Sequence, residues 1–157
     1  MEINIATNPD TDRIADLAIA FRNHLERQVP SDIQFRSSVS SLLASGDAEF
    51  YLATDNNHSI GYVLQRFRYS MWASGIEATI EDLYVSPDHR QSGAGKRLIQ
   101  FALDRAQTKG CSSVCLDTNE NNVASTKIYS QLGFNSISKR WNGRQIFYRL
   151  NFPAITA

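Results

Sequence analysis

The sequence predicts an α/β fold of the α+β kind, a mixed and mostly antiparallel sheet of about seven strands with helices on both faces. Two observations point to it. Helical spacing of apolar residues gives way, after Gly46, to the alternating pattern of strands. The elements then run as a meander of strands followed by strand, helix and strand, an order that mixes antiparallel and parallel pairing.

Glu2 to Ala6 alternates and reads as a short strand. Asp10 or Thr11 can cap a helix that sets Ile14, Leu17, Ala18, Phe21 and Leu25 on one face. A second helix carries Phe35, Val39, Leu42 and Leu43 at the same spacing and stops near Gly46. Ala48 to Thr54 and Ile60 to Tyr69 are rich in aromatic and branched residues, and Asp55-Asn56-Asn57-His58 between them is turn chemistry, so they form a hairpin. Another strand runs from about Ile76 to Val85 and is ended by Ser86-Pro87-Asp88. Leu98, Ile99, Ala102, Leu103 and Ala106 then make the apolar face of a helix closed by Gly110. Ser113 to Asp117 is a strand and Asn119 to Asn122 a loop. A short helix with Ala124, Ile128 and Leu132 stops at Gly133. Phe134 to Lys139 and Gln145 to Leu150 are the closing strands, around an Asn142-Gly143 turn.

Composition excludes more than it selects. At 157 residues, with no repeat and no linker-like change of composition, the chain is expected to form one domain over residues 1–157. Sixteen basic residues balance sixteen acidic ones, which gives no electrostatic case for nucleic acid or a membrane surface as partner. No apolar run approaches the roughly 18–20 residues that span a bilayer, and Met1 to Asp12 lacks the basic start and apolar stretch of a secretory signal. Two cysteines, Cys111 and Cys115, imply no disulfide framework and fit a reducing cytoplasm, where they read as small buried apolar residues. Together with His24, His58 and His89 they make no metal-binding spacing, so no metal is expected.

The most informative stretch is Asp82-Leu83-Tyr84-Val85-Ser86-Pro87-Asp88-His89-Arg90-Gln91-Ser92-Gly93-Ala94-Gly95-Lys96-Arg97-Leu98. A strand ends, a tight loop with two glycines follows, and an amphipathic helix begins. The first amides of a helix have no intrahelical partner, and the helix dipole places about half a positive charge there. Gly93 and Gly95 remove side chains that would hold a phosphate away, and Arg90 and Lys96 add local positive charge. A Walker loop needs a glycine with four residues intervening before Gly95, where Arg90 stands, and a Ser or Thr where Arg97 stands. A dinucleotide fingerprint read from Gly93 and Gly95 needs Gly or Ala at position 98 and finds Leu98.

The remaining pattern, Arg90-x-x-Gly93-x-Gly95 on a strand–loop–helix, resembles the coenzyme A pyrophosphate loop of the GNAT superfamily of N-acetyltransferases. Ile80-Glu81-Asp82-Leu83-Tyr84-Val85-Ser86-Pro87 is similar to that family's fourth strand. Asn122 through Tyr129, followed by Leu132-Gly133-Phe134, is similar to its fourth-helix signature. The departures are Gln91, where many members carry glycine, and Ala94, where many carry a larger aliphatic residue.

The resemblance implies an acyl-CoA-dependent N-acyltransferase with acetyl-CoA as co-substrate. Its fourth and fifth strands splay apart to admit the pantetheine arm, here the strands ending at Val85 and Asp117. It assigns the main chain of Leu83 and Val85 to that arm, and Arg90, Gln91, Gly93, Ala94, Gly95 and Lys96 to the pyrophosphate loop. It also assigns Asn122 to the pantetheine–phosphate junction, although asparagine is equally a helix cap. Tyr129 is implied as the acid that protonates the departing thiol. A phenol suits that task because its pKa of about 10 keeps it protonated at neutral pH. An acceptor amine arrives as ammonium and must lose a proton to a base. Glu81 is the preferred base, sharing strand parity with Leu83 and Val85; Asp82, on the opposite face, is the runner-up. A carboxylate merely satisfied within the sheet remains an equal reading of Glu81. The amide of Val85 is the implied donor to the oxyanion formed by direct attack.

The acceptor is not spelled out. In this fold its pocket is shaped by the first two helices, the bend between the third and fourth strands and the C-terminal strands, which here carry Arg22, His24, Arg27, Tyr69, Trp72, Glu77, Trp141 and Arg144. The aromatic residues among them fit core or homodimer contacts more readily than a substrate cage. A small-molecule amine is the leading acceptor. The alternatives are an amine of a protein or peptide, and an acyl-CoA-binding regulatory module without catalysis.

Overall fold

The computed structural model describes residues 1–153 as two compact units, Met1–Leu116 and the residues that follow from Asp117. In the first unit, β1 (Glu2–Ile5), β2 (Ala48–Asp55), β3 (His58–Ser70), β4 (Gly75–Val85) and β5 (Val114–Leu116) form a five-stranded sheet in that spatial order. The first four pair antiparallel and β5 joins β4 in parallel. The β2–β3 hairpin turns on Asn56 and Asn57, both at positive φ (46° and 66°), the backbone that asparagine tolerates and that a two-residue hairpin requires.

Helix α1 (Thr11–His24) begins after a single 3-10 turn whose Thr7 and Asp10 form a capping box. Helix α2 (Asp32–Ala44) starts from Ser31, whose hydroxyl accepts from the Gln34 amide. Their buried residues Ile14, Ala15, Leu17, Ala18 and Val39 pack with Phe50, Leu52, Tyr62, Leu64 and Tyr84 of the sheet. Phe21 stacks on Tyr84 with ring centroids 5.1 Å apart. Leu25, placed by its spacing on the same face, is half exposed, because α1 has already ended at His24.

Helix α3 (Ala94–Thr108) covers the opposite face, burying Ala94, Leu98, Ile99, Ala102 and Ala106. Here Tyr51 meets Phe101 at 5.2 Å, and Glu49 accepts from Arg105 at 2.9 Å through both oxygens. Lys109 lies 3.0 Å from the same carboxylate. Burial works against ionising Glu49, but hydrogen bonds from Arg105, Lys109 and Tyr51 outweigh it and hold its pKa below the usual carboxylate value.

From Asp117 onward the structure holds α4 (Val123–Gln131), β6 (Ile137–Ser138) and β7 (Gly143–Arg144). The sheet of about seven strands is thus corrected to five, with β6 and β7 making a separate two-stranded ribbon around positive-φ Asn142. The expected strand over 134–139 shrinks to two residues, and 145–150 forms none. Ile146, Phe147, Tyr148 and Leu150 are exposed there. Alternation records a preference for extended backbone, whereas a strand also needs a hydrogen-bonded neighbour. Cys115 is exposed, not buried as expected, since β5 lies at the edge of its sheet.

Candidate active site

Strand β4 carries one feature on which the site depends. On one side it pairs with β3 along its whole length, from Ser70↔Gly75 to Gly61↔Val85. On the other it pairs with β5 only through Ala78, Thr79 and Ile80. Past Ile80 that ladder stops, so residues 81–85 continue with one edge that, among the described residues, has no strand beside it. An extended ligand with amide groups could pair with such an edge as an added strand does.

The same strand contains a β-bulge. Leu64 faces Asp82 but Gln65 faces Ile80, which leaves Glu81 as an extra residue on β4. The parity that grouped Glu81 with Leu83 and Val85 therefore does not hold. The Glu81 carboxylate lies 3.9 Å from Arg66, which shares its side of β3 with Tyr62 and Leu64, the side covered by α1 and α2. Asp82 is on that side too. Its carboxyl receives a long 3.4 Å hydrogen bond from the Tyr62 hydroxyl. Burial raises its pKa above the usual range, and the Tyr62 bond offsets this only in part. Two carboxylates thus sit at the bulge in unlike surroundings, one paired with arginine and one half-buried against a tyrosine. The only trace of this in the sequence is the adjacent Glu81-Asp82 pair, which breaks the alternation of the strand.

The turn after β4 leads into α3. Gly93 caps the helix with φ at 85°, a left-handed conformation, and a Cβ built there meets no atom within 4 Å. Gln91 takes φ 60°, which accounts for the glycine many relatives carry at this place. The first bond of the helix runs from the Arg97 amide to the Gly93 carbonyl at 3.0 Å, so the amides of Ala94, Gly95 and Lys96 precede the ladder. These donors and the dipole behind them form an anion cradle with open space at Gly93. Arg90 is exposed, yet two of its nitrogens are engaged. Its Nε donates to the Val85 carbonyl at 3.0 Å, and a second guanidinium nitrogen lies 3.3 Å from His24 Nε2. His24 was named in the sequence for a different role, and nothing in its spacing marks this contact.

The end of β4 is packed closely beneath this turn. A Cβ at Gly61 would stand 2.6 Å from the Tyr84 carbonyl, 3.2 Å from Val85 Cα and 3.3 Å from Leu98. Strand β3, the end of β4 and the start of α3 can approach this closely because position 61 has no side chain.

In the second unit, Asn122 stands at the N-cap of α4 but makes no side-chain cap bond; its amide donates to the Thr118 hydroxyl at 3.3 Å. Tyr129 packs edge-on against Phe134 at 5.9 Å. Burial raises its pKa above the ordinary tyrosine value, with a hydrogen bond to Ser125 acting the other way. The phenol therefore keeps its proton at neutral pH.

Of the acceptor-side residues, Tyr69, Trp72 and Trp141 are exposed, while Glu77 is engaged by Arg68 at 3.3 Å and Ser113 at 3.0 Å. A concavity of about 540 Å³ lies at the α1–α2 connection, lined by Arg22, Asn23, Glu26, Arg27, Gln28 and Ser31 among others. Arg22 is fully used in holding that connection, donating to Asn23 and the Pro30 carbonyl and pairing with Asp32 at 2.8 Å.

The chain is similar to several known proteins. The chain is 34% identical over 80 residues to a thialysine N-epsilon-acetyltransferase of Bos taurus, covering 51% of this chain and 46% of that protein. It is 32% identical over 66 residues to the [ribosomal protein bS18]-alanine N-acetyltransferase of Escherichia coli (strain K12), covering 42% of this chain and 45% of that one. The match thus spans about half the length of each relative. The solved structure of AAC(6')-Iy in complex with a bisubstrate analogue, CoA-S-monomethyl-acetylneamine, superposes with a TM-score of 0.76 at 24% identity, over 96% of this chain and 98% of that one. The sequence pattern of the Acetyltransferase (GNAT) family matches residues 12–134. With that match covering more than half of its residues, the chain belongs to the acetyltransferase (GNAT) family.

Proposed function

We propose that this protein transfers an acetyl group from acetyl-CoA to a primary amine of a small molecule by direct attack, with residues 1–157 acting as one catalytic domain. The observation that carries the reading is the edge of β4 over residues 81–85, which has no strand beside it and leads into the amide cradle at the start of α3. The family pattern, which runs from residue 12 to residue 134, supports treating both compact units as parts of one enzyme.

Acetyl-CoA, when bound, supplies an activated thioester. In this reading the main chain of Leu83 and Val85 holds the pantetheine arm, and the amides of Gln91, Gly93, Ala94, Gly95 and Lys96 hold the diphosphate, with Asn122 at the junction. The space beside Gly93 fits a phosphate that a side chain would displace. Glu81 takes the ammonium proton, directly or through water, with Asp82 as the second candidate at the same bulge. The Val85 amide donates to the oxyanion. Tyr129 returns a proton to the thiolate, a role supported by its place in the fourth-helix signature and by a phenol that stays protonated.

The proposed acceptor is a small primary amine, whose ammonium would be met by the carboxylates at the β4 bulge, Glu81 and Asp82. The two curated relatives act on different acceptors, one on thialysine and one on a ribosomal protein's alanine. The test is thiol release from acetyl-CoA against a panel of small amines and of peptides with free N-termini. The proposal expects release with small amines. Release with peptides alone would assign the acceptor to protein, and CoA binding with no acetylated amine would indicate a module without catalysis.

A further inference from the structure

Arg90 is held on three sides within the first unit. Its Nε donates to the Val85 carbonyl at 3.0 Å, a terminal nitrogen meets His24 Nε2 at 3.3 Å, and its Cζ stands 6.0 Å over the Tyr84 ring. A guanidinium has no lone pair to offer, so His24 must accept at Nε2 and carry its proton on Nδ1. Tyr84 stacks in turn on Phe21, and His24 is the last residue of α1. The peptide after Val85 is therefore fixed from both sides. Its carbonyl accepts from Arg90, and its N–H, that of Ser86, donates to the Ile60 carbonyl at 2.8 Å.

We infer that Arg90 is a positioning residue, not a diphosphate contact: it sets the main chain at the end of β4 and fastens that end to the C-terminus of α1. The inference rests on the acyl-CoA reading given above. The contacts of Arg90 go to Val85, His24 and the Tyr84 ring, at the strand end and the helix, while the amides at the start of α3 have no partner within the helix ladder and remain to meet an anion. Arginine suits this because its planar fork can bond two acceptors at fixed angles, which the single ammonium of lysine cannot reproduce.

The test compares two donors, acetyl-CoA and S-acetyl-pantetheine, a thioester that lacks the diphosphate. With active sites titrated, Arg90→Ala is expected to raise KM for both donors by a common factor of about tenfold, the loss of one charged hydrogen bond. Arg90→Lys is expected not to restore it. A rise confined to acetyl-CoA, or rescue by lysine, would overturn the inference in favour of a phosphate contact. Unchanged KM for both donors with a lowered melting temperature would reduce Arg90 to a fold-stabilising residue and equally overturn it. Should the wild-type chain use neither donor, the acetyl-transfer reading fails. Arg90 is then judged by calorimetry, from whether its substitution weakens CoA and pantetheine alike.

Discussion

In the proposed reaction Tyr129 must keep its proton until a thiolate needs it, and burial favours that by raising the phenol's pKa. Tyr129→Phe is therefore expected to lower turnover roughly a hundredfold, a common size for a lost general acid, with little change in CoA affinity. Unchanged turnover would remove the assignment. Asp82 gives a second residue-scale prediction. Its pKa is raised in the folded protein by burial, so the folded state binds its proton more tightly than the unfolded chain does. The stability cost of ionising it appears as pH rises from the unfolded value of about 4 through the folded pKa, and persists above it. Asp82→Asn should then gain stability relative to wild type across that window. Urea denaturation between pH 4 and pH 8 measures this, and a difference that is the same at every pH would contradict it. At this scale, the order of residue types was legible: the strand–loop–helix with Gly93 and Gly95 could be read from the sequence, whereas Asn122 and Tyr129 were named only through the family resemblance. What Arg90 and Asp82 touch could not be read, because both contacts join positions far apart in the chain (His24 with Arg90, Tyr62 with Asp82).

At the scale of the element, β4 sets the geometry of the site through its two interruptions. The bulge at Glu81 turns that carboxylate toward Arg66, and the β4–β5 ladder ends at Ile80, short of the end of β4. Neither is written as a local pattern. A bulge here needs no glycine, and parity counted along the sequence assumes there is none. Helices α1, α2 and α3 were legible because a stripe of apolar residues at helical spacing and a stop residue are both local signals. Gly61 shows how closely the elements meet. Its missing side chain leaves the Tyr84 carbonyl 2.6 Å from where a Cβ would stand, too close for any side chain, with Leu98 at a tight 3.3 Å. Gly61→Ala should force backbone to move and cost about 2 kcal/mol of stability, read from the midpoint of a denaturant titration at unchanged slope. A loss within error of zero would mean the end of β4 yields easily, against the close packing at Gly61.

For the molecule as a whole, family membership is what the proposed acetyl transfer rests on, and the acceptor is left to be measured. The sequence-level order of elements was legible throughout the first unit, where each strand finds a partner. It was least legible after Gly133, where strand-forming residues such as Phe147 and Tyr148 lie exposed without a ladder. Tertiary pairing decided those segments, and periodicity carries no record of it. The account predicts one footprint for acetyl-CoA, a main-chain line along the end of β4 and around the turn into α3. Hydrogen–deuterium exchange with and without acetyl-CoA reads it directly. The amides of residues 83–85 and 91–96 should slow on binding, more than those of the β2–β3 turn. Saturating acetyl-CoA that leaves exchange in both stretches unchanged would contradict the central claim that this strand edge and turn hold the donor.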